Sequence, residues 1–436
     1  MKKISLLIML SYSCSSIAAI NINEVRALFE SGNSKATYEL TVNEARKYEG
    51  DPNFDYYYGV SAIDTGHASE GVFALERVLL LQPDNHPARL ELARGYFILE
   101  EYARARKEFE TVLGAEPPEE VRNRINTFLD AIRLQEGRYN TTQSAYIDFG
   151  FGSDSNINSA STLQSTDIGG LTFIFGDDAI EQDDSFAEYT LHYGINTPIS
   201  PGISYFASIN GTGRGHSDHS QFNTATYTFD TGFQFLHAQN AYSIDIIAQQ
   251  FNLAGEEYRQ LIGLNTNWKK NLSQQTSLQT YLQYAQQEFE GQETRDVDTV
   301  TLGTGFSRRF NAMLSPILFS SIYLAQDSPK LDDPSARANA ERDYYGLRIG
   351  TGLSISGNKS IQLALDYQSS EYGETDAFTN ILRDEQFISA TINFTWLLSR
   401  NWSMFALAST SQNTSNDSTK EYDRTQYSLN LRYEVK

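Results

Sequence analysis

The stretch ISATINFTWL, residues 388–397, reads as one membrane-spanning strand, and the rest of the chain follows from it. Ile388, Ala390, Ile392, Phe394 and Trp396 alternate with Ser389, Thr391, Asn393 and Thr395. Successive side chains of a strand point to opposite faces, so this segment needs one apolar surface and one polar surface. Residues 361–368 repeat the pattern, with Ile361, Leu363, Leu365 and Tyr367 against Gln362, Asp366 and Gln368. So do residues 427–435, where Tyr427, Leu429, Leu431, Tyr433 and Val435 oppose Ser428, Asn430, Arg432 and Glu434.

A water-soluble sandwich alternates in the same way. Two features favour a membrane barrel. Aromatic residues sit near strand ends, as at Tyr258, Trp268 and Trp402, where interface girdles belong. Connections also alternate in length. Short ones fall at 197–202, 237–240, 272–275, 311–316, 357–359 and 399–401. Longer polar ones fall at 155–184, 214–221, 291–296, 327–342, 373–385 and 414–423, with a brief one at 252–257. Short periplasmic turns and long outer loops mark an outer-membrane barrel. Seven outer connections and six inner turns predict fourteen strands between residues 144 and 436, with both ends on the periplasmic side. The last strand must then pair with the first, which brings the lumen-facing Arg432 and Asp148 towards each other.

The wider composition agrees. The chain has 436 residues, 26 Tyr and 25 Phe, and a mean hydropathy of −0.43. Past the N-terminus it lacks the apolar run of about 18 residues that a spanning helix needs. Averaged over two faces, a barrel strand has soluble-looking hydropathy. The opening MKKISLLIMLSYSCSSIAA reads as a secretory signal peptide over residues 1–19, with Lys2 and Lys3 before an apolar core. The single cysteine, Cys14, lies inside it, and Ser11 stands where a lipobox wants leucine, so lipidation is the weaker reading. The mature chain is then expected to carry no disulfide and no thiolate metal site. A net charge of −21, partly in runs such as DDAIEQDD at 177–184, argues against a nucleic-acid partner.

Before the strands lies a different period. Residues 52–85 and 86–119 align at 34 residues, so that Gly59 matches Ala93, Ala62 matches Tyr96, Leu75 matches Phe109, Val78 matches Val112, and Pro83 matches Pro117. This is tetratricopeptide-repeat spacing. Small residues let two antiparallel helices approach, and the proline ends the second. Residues 23–48 read as a degenerate further pair and 119–135 as a capping helix. The predicted architecture is therefore an α-helical tetratricopeptide-like solenoid over residues 20–137, followed by a 14-stranded antiparallel transmembrane β-barrel over 144–436. Tyr56, Val60, Leu90 and Arg94 fall at inward-facing positions of the first helix of each repeat. They are the candidate lining of a groove that holds a client segment; the plainer reading is that the array only supports the barrel. A linker of about eight residues, 136–143, joins the two parts.

The first strand ends in FGFGSDSNIN, residues 149–158. Asp154, Ser155 and Asn156 break the alternation where the chain should leave the membrane, because such side chains cap the free backbone of a turn. Asp154, Asn156 and Asn158 also have the spacing of a calcium loop, but Ser159 and Ser165 stand where that motif needs Gly and Glu. His216, Asp218 and His219 form only a weak metal set in an outer loop. Gly-x-Ser-x-Gly is absent and the histidines are scattered, so neither an enzyme nor a cofactor is expected.

Repeats, a short linker, and then Gly150, Gly152, Asp154, Ser155, Asn156 and Asn158 opening a fourteen-strand barrel resemble the surface lipoprotein assembly modulator (Slam) family. The resemblance implies an outer-membrane protein that delivers clients to the cell surface or beyond. Those clients are lipoproteins, often for heme or metal acquisition, or soluble secreted proteins. Periplasmic chaperones and outer-membrane lipids are the other expected partners. A polysaccharide-export porin and a passive outer-membrane channel are the alternatives.

Overall fold

The computed structural model of the chain describes residues 21–137, 139–168 and 171–435. The predicted signal peptide, with Cys14, lies outside the described residues. None of the described helices is long and apolar enough to cross a membrane. Internal contacts divide the chain into two units, one ending at Arg133 and the other beginning at Leu134.

The helical unit contains α1 (Ile22–Glu30), α2 (Ser34–Thr41), α3 (Pro52–Asp64), α4 (Ala68–Leu81), α5 (His86–Ile98), α6 (Tyr102–Gly114) and α7 (Glu119–Glu136). Helices α3 and α5 start 34 residues apart (86 minus 52), and so do α4 and α6 (102 minus 68). The starts are encoded locally. Asp51 caps α3 by accepting from the amides of Asn53 and Phe54, and Asn85 caps α5 through the amide of Ala88. A proline in the first turn of each helix loses no intrahelical bond there. The aligned pairs Ala62 and Tyr96, Leu75 and Phe109, and Val78 and Val112 are all core residues. A Cβ on Gly71 would lie 2.5 Å from the Gly59 carbonyl oxygen, so α3 and α4 can approach this closely only without side chains there. One charge is buried inside. Asp55 takes two bonds from Arg77, at 2.9 and 2.6 Å, and one from the Gly50 amide at 2.9 Å. Burial beside Glu70 raises the pKa of Tyr58, whose hydroxyl donates to the Glu70 carboxylate at 2.7 Å.

The second unit opens with β1 (Thr142–Asp154), followed by a small hairpin of β2 (Ser165–Ile168) and β3 (Leu171–Ile174) inside the first outer loop. The wall continues through β4 (Asp184–Ser200), β5 (Ile203–His216), β6 (Thr224–His237), β7 (Asn240–Leu253), β8 (Glu256–Asn271) and β9 (Thr276–Phe289). It is completed by β10 (Val297–Arg309), β11 (Ile317–Pro329), β12 (Arg342–Ser356), β13 (Lys359–Thr375), β14 (Leu382–Leu397), β15 (Trp402–Ser415) and β16 (Tyr422–Val435). A short helix, α8 (Pro334–Ala340), stands in the loop between β11 and β12. Apart from the β2–β3 hairpin, the strands form one closed antiparallel barrel in which β1 pairs with β16. These are the fourteen strands read from the sequence.

The two faces separate cleanly. Leu347, Ile349, Leu365, Ile388 and Ile392 are uncovered by protein, as a lipid-facing surface requires. On the opposite face the Tyr323 hydroxyl reaches across Gly346 of the intervening strand to the Gln368 side chain, at 2.6 Å. Arg342 pairs with Asp327 at 2.8 Å on that same lumen face. An aromatic band marks the short-turn end. Trp402 packs on Tyr433 at 4.9 Å, and Trp268 lies opposite Tyr242 and donates to Asn240 at 3.0 Å.

Tyr258 departs from the girdle expected of it. A β-bulge leaves it as the extra residue between the pairs Phe251–Arg259 and Asn252–Glu257. That extra residue turns its ring onto Phe251 and Phe289, which are lumen-facing, rather than towards lipid. The chain enters β1 and leaves β16 at the short-turn end, because the number of strands is even.

An arginine at Leu365, on the lipid face, is expected to cost about 2–4 kcal/mol near mid-bilayer. It should therefore lower the amount of heat-modifiable barrel recovered from outer membranes. Arginine at Gln362, on the lumen face, should be tolerated. Equal recovery of the two variants would contradict the facing.

Candidate functional site

The G-x-G-x-D-S-N-x-N run occupies the seam where the last strand meets the first. Its glycines make room there. Gly150 lies opposite Asn430, and a Cβ on it would come within 1.7 Å of the Asn430 side-chain oxygen. A Cβ on Gly152 would come within 2.3 Å of both the Phe186 ring and the Tyr427 carbonyl oxygen. Phe186 is buried against it, with the Arg214 guanidinium 3.9 Å above its ring.

Asp154, the last residue of β1, has no exposed surface. Its carboxylate accepts from Arg424 Nη2 at 2.6 Å and Nε at 3.0 Å, and from Gln426 at 2.5 Å. It also accepts from the Asn156 amide at 3.1 Å, and Arg214 stands 3.6 Å away. The bond to Asn156 is the local cap expected where the strand ends. Arg214 in turn pairs with Glu188 at 2.8 Å, and Asn430 donates to Glu188 at 3.0 Å. Further down the seam Arg432 holds Asp148 by two bonds, at 2.6 and 2.7 Å, with its guanidinium 3.9 Å over the Tyr146 ring. The predicted meeting of Asp148 and Arg432 is thus present, and the register places them directly opposite each other.

The remaining motif residues fasten the first outer loop. Buried Asn156 donates to the carbonyls of Ala160 and Asp423, at 2.9 and 3.0 Å, and accepts from the Ala160 amide. Asn158 donates to the carbonyls of Asp178 and Ile180, and Ser155 exchanges bonds with the backbone of Thr425. These side chains are committed to hydrogen bonds within the protein, not turned together towards an ion. Among the described residues no group of His, Cys, Asp and Glu is placed to hold a metal. His219 and the amides of Asp218 and His219 bind Asp184 instead, which ties the loop after β5 to the start of β4.

The loop so fastened meets two other outer loops. Phe173 in the β2–β3 hairpin meets Phe378, in the loop between β13 and β14, at 4.9 Å. Gln221, in the loop after β5, donates to Asp178 at 2.9 Å. In the sequence the hairpin and α8 fall within the stretches 155–184 and 327–342, which read as plain loop. The alternation flanking Gly169-Gly170 and the Asp333-Pro334 helix start were the available signals.

In the helical unit, Tyr56 and Leu90 are half-buried against the main core. Val60 is only 6% exposed and belongs to that core, so it offers little surface to a partner. It shares one core cluster with Val72 of α4 and with Leu92 and Ala93 of α5. Arg94 bonds Asp64 at 2.6 Å and Glu91 at 2.7 Å, which joins α5 to α3.

A family model described as "Surface lipoprotein assembly modifier" matches residues 144–431. A surface lipoprotein assembly modifier of Moraxella catarrhalis is 23% identical over 209 residues, which cover 48% of this chain and 39% of that protein. The match therefore spans well under half of the relative's length. Among solved structures, the outer membrane channel DcaP of Acinetobacter baumannii aligns at 12% identity and a TM-score of 0.42, covering 68% of this chain and 98% of that one. The type III secretion translocator chaperone SycD of Yersinia enterocolitica aligns at 16% identity and a TM-score of 0.24, covering 26% and 82%.

Asp154→Ala or Arg424→Ala alone is expected to cost about 3 kcal/mol, because each leaves a poorly solvated charge without its partner. The double variant should lose less than the two single losses combined. The temperature of the gel-mobility shift on heating measures this, and strictly additive losses would remove the pair as the seam's latch.

Proposed function

The chain belongs to the surface lipoprotein assembly modifier family, and from that premise we propose that it collects client proteins in the periplasm and delivers them across the outer membrane. The observation that carries the reading is the joining, in one chain, of a closed barrel to helical pairs repeating every 34 residues. The barrel takes its chain in at the short-turn end, so the repeats are assigned to the periplasm, where clients first arrive. Repeat pairs of this kind offer a first-helix face suited to an extended segment. Tyr56, Leu90 and Arg94 are the proposed contacts on that face. Arg94 is held in place by Asp64 and Glu91, so it meets a client already oriented. The clients are surface lipoproteins or soluble secreted proteins.

A passive channel or sugar-export porin needs no client-binding face. The test is therefore co-expression of candidate surface-lipoprotein or secreted clients with either the full chain or a form lacking residues 20–135. The truncated barrel should still insert and shift on heating, but client at the surface or in the medium should fall to background. Replacing Tyr56 and Arg94 together by alanine should reduce delivery several-fold without changing barrel yield. Undiminished export by the truncated barrel would reject recruitment by the repeats.

A further inference from the structure

We propose that the outer mouth of the barrel contains an oxyanion site, built from Arg259 and Arg295 over an aromatic floor. Its ligand class is a carboxylate or phosphate ester carried on a flat, apolar body. The starting point is an imbalance of partners. In a chain of net charge −21, arginines on the lumen face are generally paired with acids. Arg214 pairs with Glu188, Arg342 with Asp327, Arg424 with Asp154, and Arg432 with Asp148.

Arg259 and Arg295 have only neutral partners among the described residues. Arg259 donates to the side-chain oxygens of Gln287 and Gln249, at 3.2 and 2.9 Å, while its Nε is buried without an acceptor. Arg295 donates to the Tyr258 hydroxyl at 2.6 Å and to Gln292 at 2.9 Å. The nearby Asp296 is turned away to accept from the Phe289 amide at 2.7 Å. A partly desolvated guanidinium served only by neutral groups leaves an uncompensated positive potential.

The surrounding geometry is constructed, not incidental. Phe251 and Phe289 both lie opposite Arg259 in the sheet register, one on each neighbouring strand. The bulge turns Tyr258 between them, with ring centroids 5.8 Å from Phe251 and 5.9 Å from Phe289, both edge-on. The Arg295 guanidinium sits 4.4 Å over the Phe289 ring, and that of Arg259 sits 5.9 Å from Phe251. Helix α8 packs against the turn that carries Arg295, which holds that side of the mouth in place. Bulges commonly re-aim a side chain where a site is formed. Guanidinium forks match paired oxygens, and rings accept a flat apolar body.

The test uses the full chain in detergent and fluorine NMR of three probes: fluorobenzoate, fluorophenyl phosphate and the neutral fluorobenzamide. Wild type should broaden at least one anion saturably and leave the amide sharp. The stronger anion identifies carboxylate or phosphate as the preferred group. Arg259→Gln and Arg295→Gln should each weaken binding about tenfold, as loss of a charge-assisted bond implies, with the heat shift of the barrel retained. Arg308→Gln, at the opposite end of the barrel, should bind as wild type does. If Arg259→Gln does not assemble, Arg295→Gln decides the matter, because Arg295 lies in a loop. Equal uptake of the amide, unchanged binding by Arg295→Gln, or no saturable binding by wild type would overturn the site.

Discussion

Closure of β1 onto β16 is the constraint on which the barrel depends. In hydrocarbon an unpaired backbone N–H or C=O has no water to bond, and each costs several kcal/mol. The two strands that must meet are the first and last of the sheet, and they pair from Ala145–Val435 to Asp154–Gln426. Backbone bonds alone would tolerate a slip. The side chains do not, because a shift of one residue moves every lumen group to the lipid face. Asp148 opposite Arg432 and Asp154 beside Arg424 penalise that slip with bare charges in lipid.

The lumen face is shaped by what stands opposite its glycines. Tyr323 lies over Gly346, Phe319 over Gly350, and Phe186 over Gly152. A large ring on one strand thus fills the gap left by the missing side chain on the next. The outer loops add a second level of order. The first loop is bound to β16 at its root by Asp154, Asn156 and Ser155, and its hairpin touches a loop several strands away through Phe173 and Phe378. The motif therefore serves to join the seam to the mouth. The family and the closed barrel place the protein in the outer membrane.

The helical unit is governed by close packing in place of backbone closure. Gly59 and Gly71 let α3 and α4 touch, and the paired Asp55 and Arg77 sit where an unpaired charge would be destabilising. The proposed client face is partly built into this core. Tyr56 and Leu90 lend half of their surface to it, so any contact they make with a client is made by side chains already held in place.

Much of this was legible in the residues alone. Alternation such as that of Ile388 to Trp396 placed fourteen strands and their facing, and the 34-residue period placed the helix pairs, because both periods are properties of the local backbone. The cap at Asp154 was legible for the same reason, since Asp, Ser and Asn bond their own neighbours in the chain. What escaped depended on partners far away. Tyr258 read as a girdle residue until one bulge changed its face, and Val60 read as groove lining until the neighbouring helices enclosed it. Asn156 read as a turn residue with at most calcium-loop spacing, yet one of its bonds reaches Asp423, far along the chain. Such contacts form only when the sheet has closed, and a period of two residues carries no information about which strands will meet.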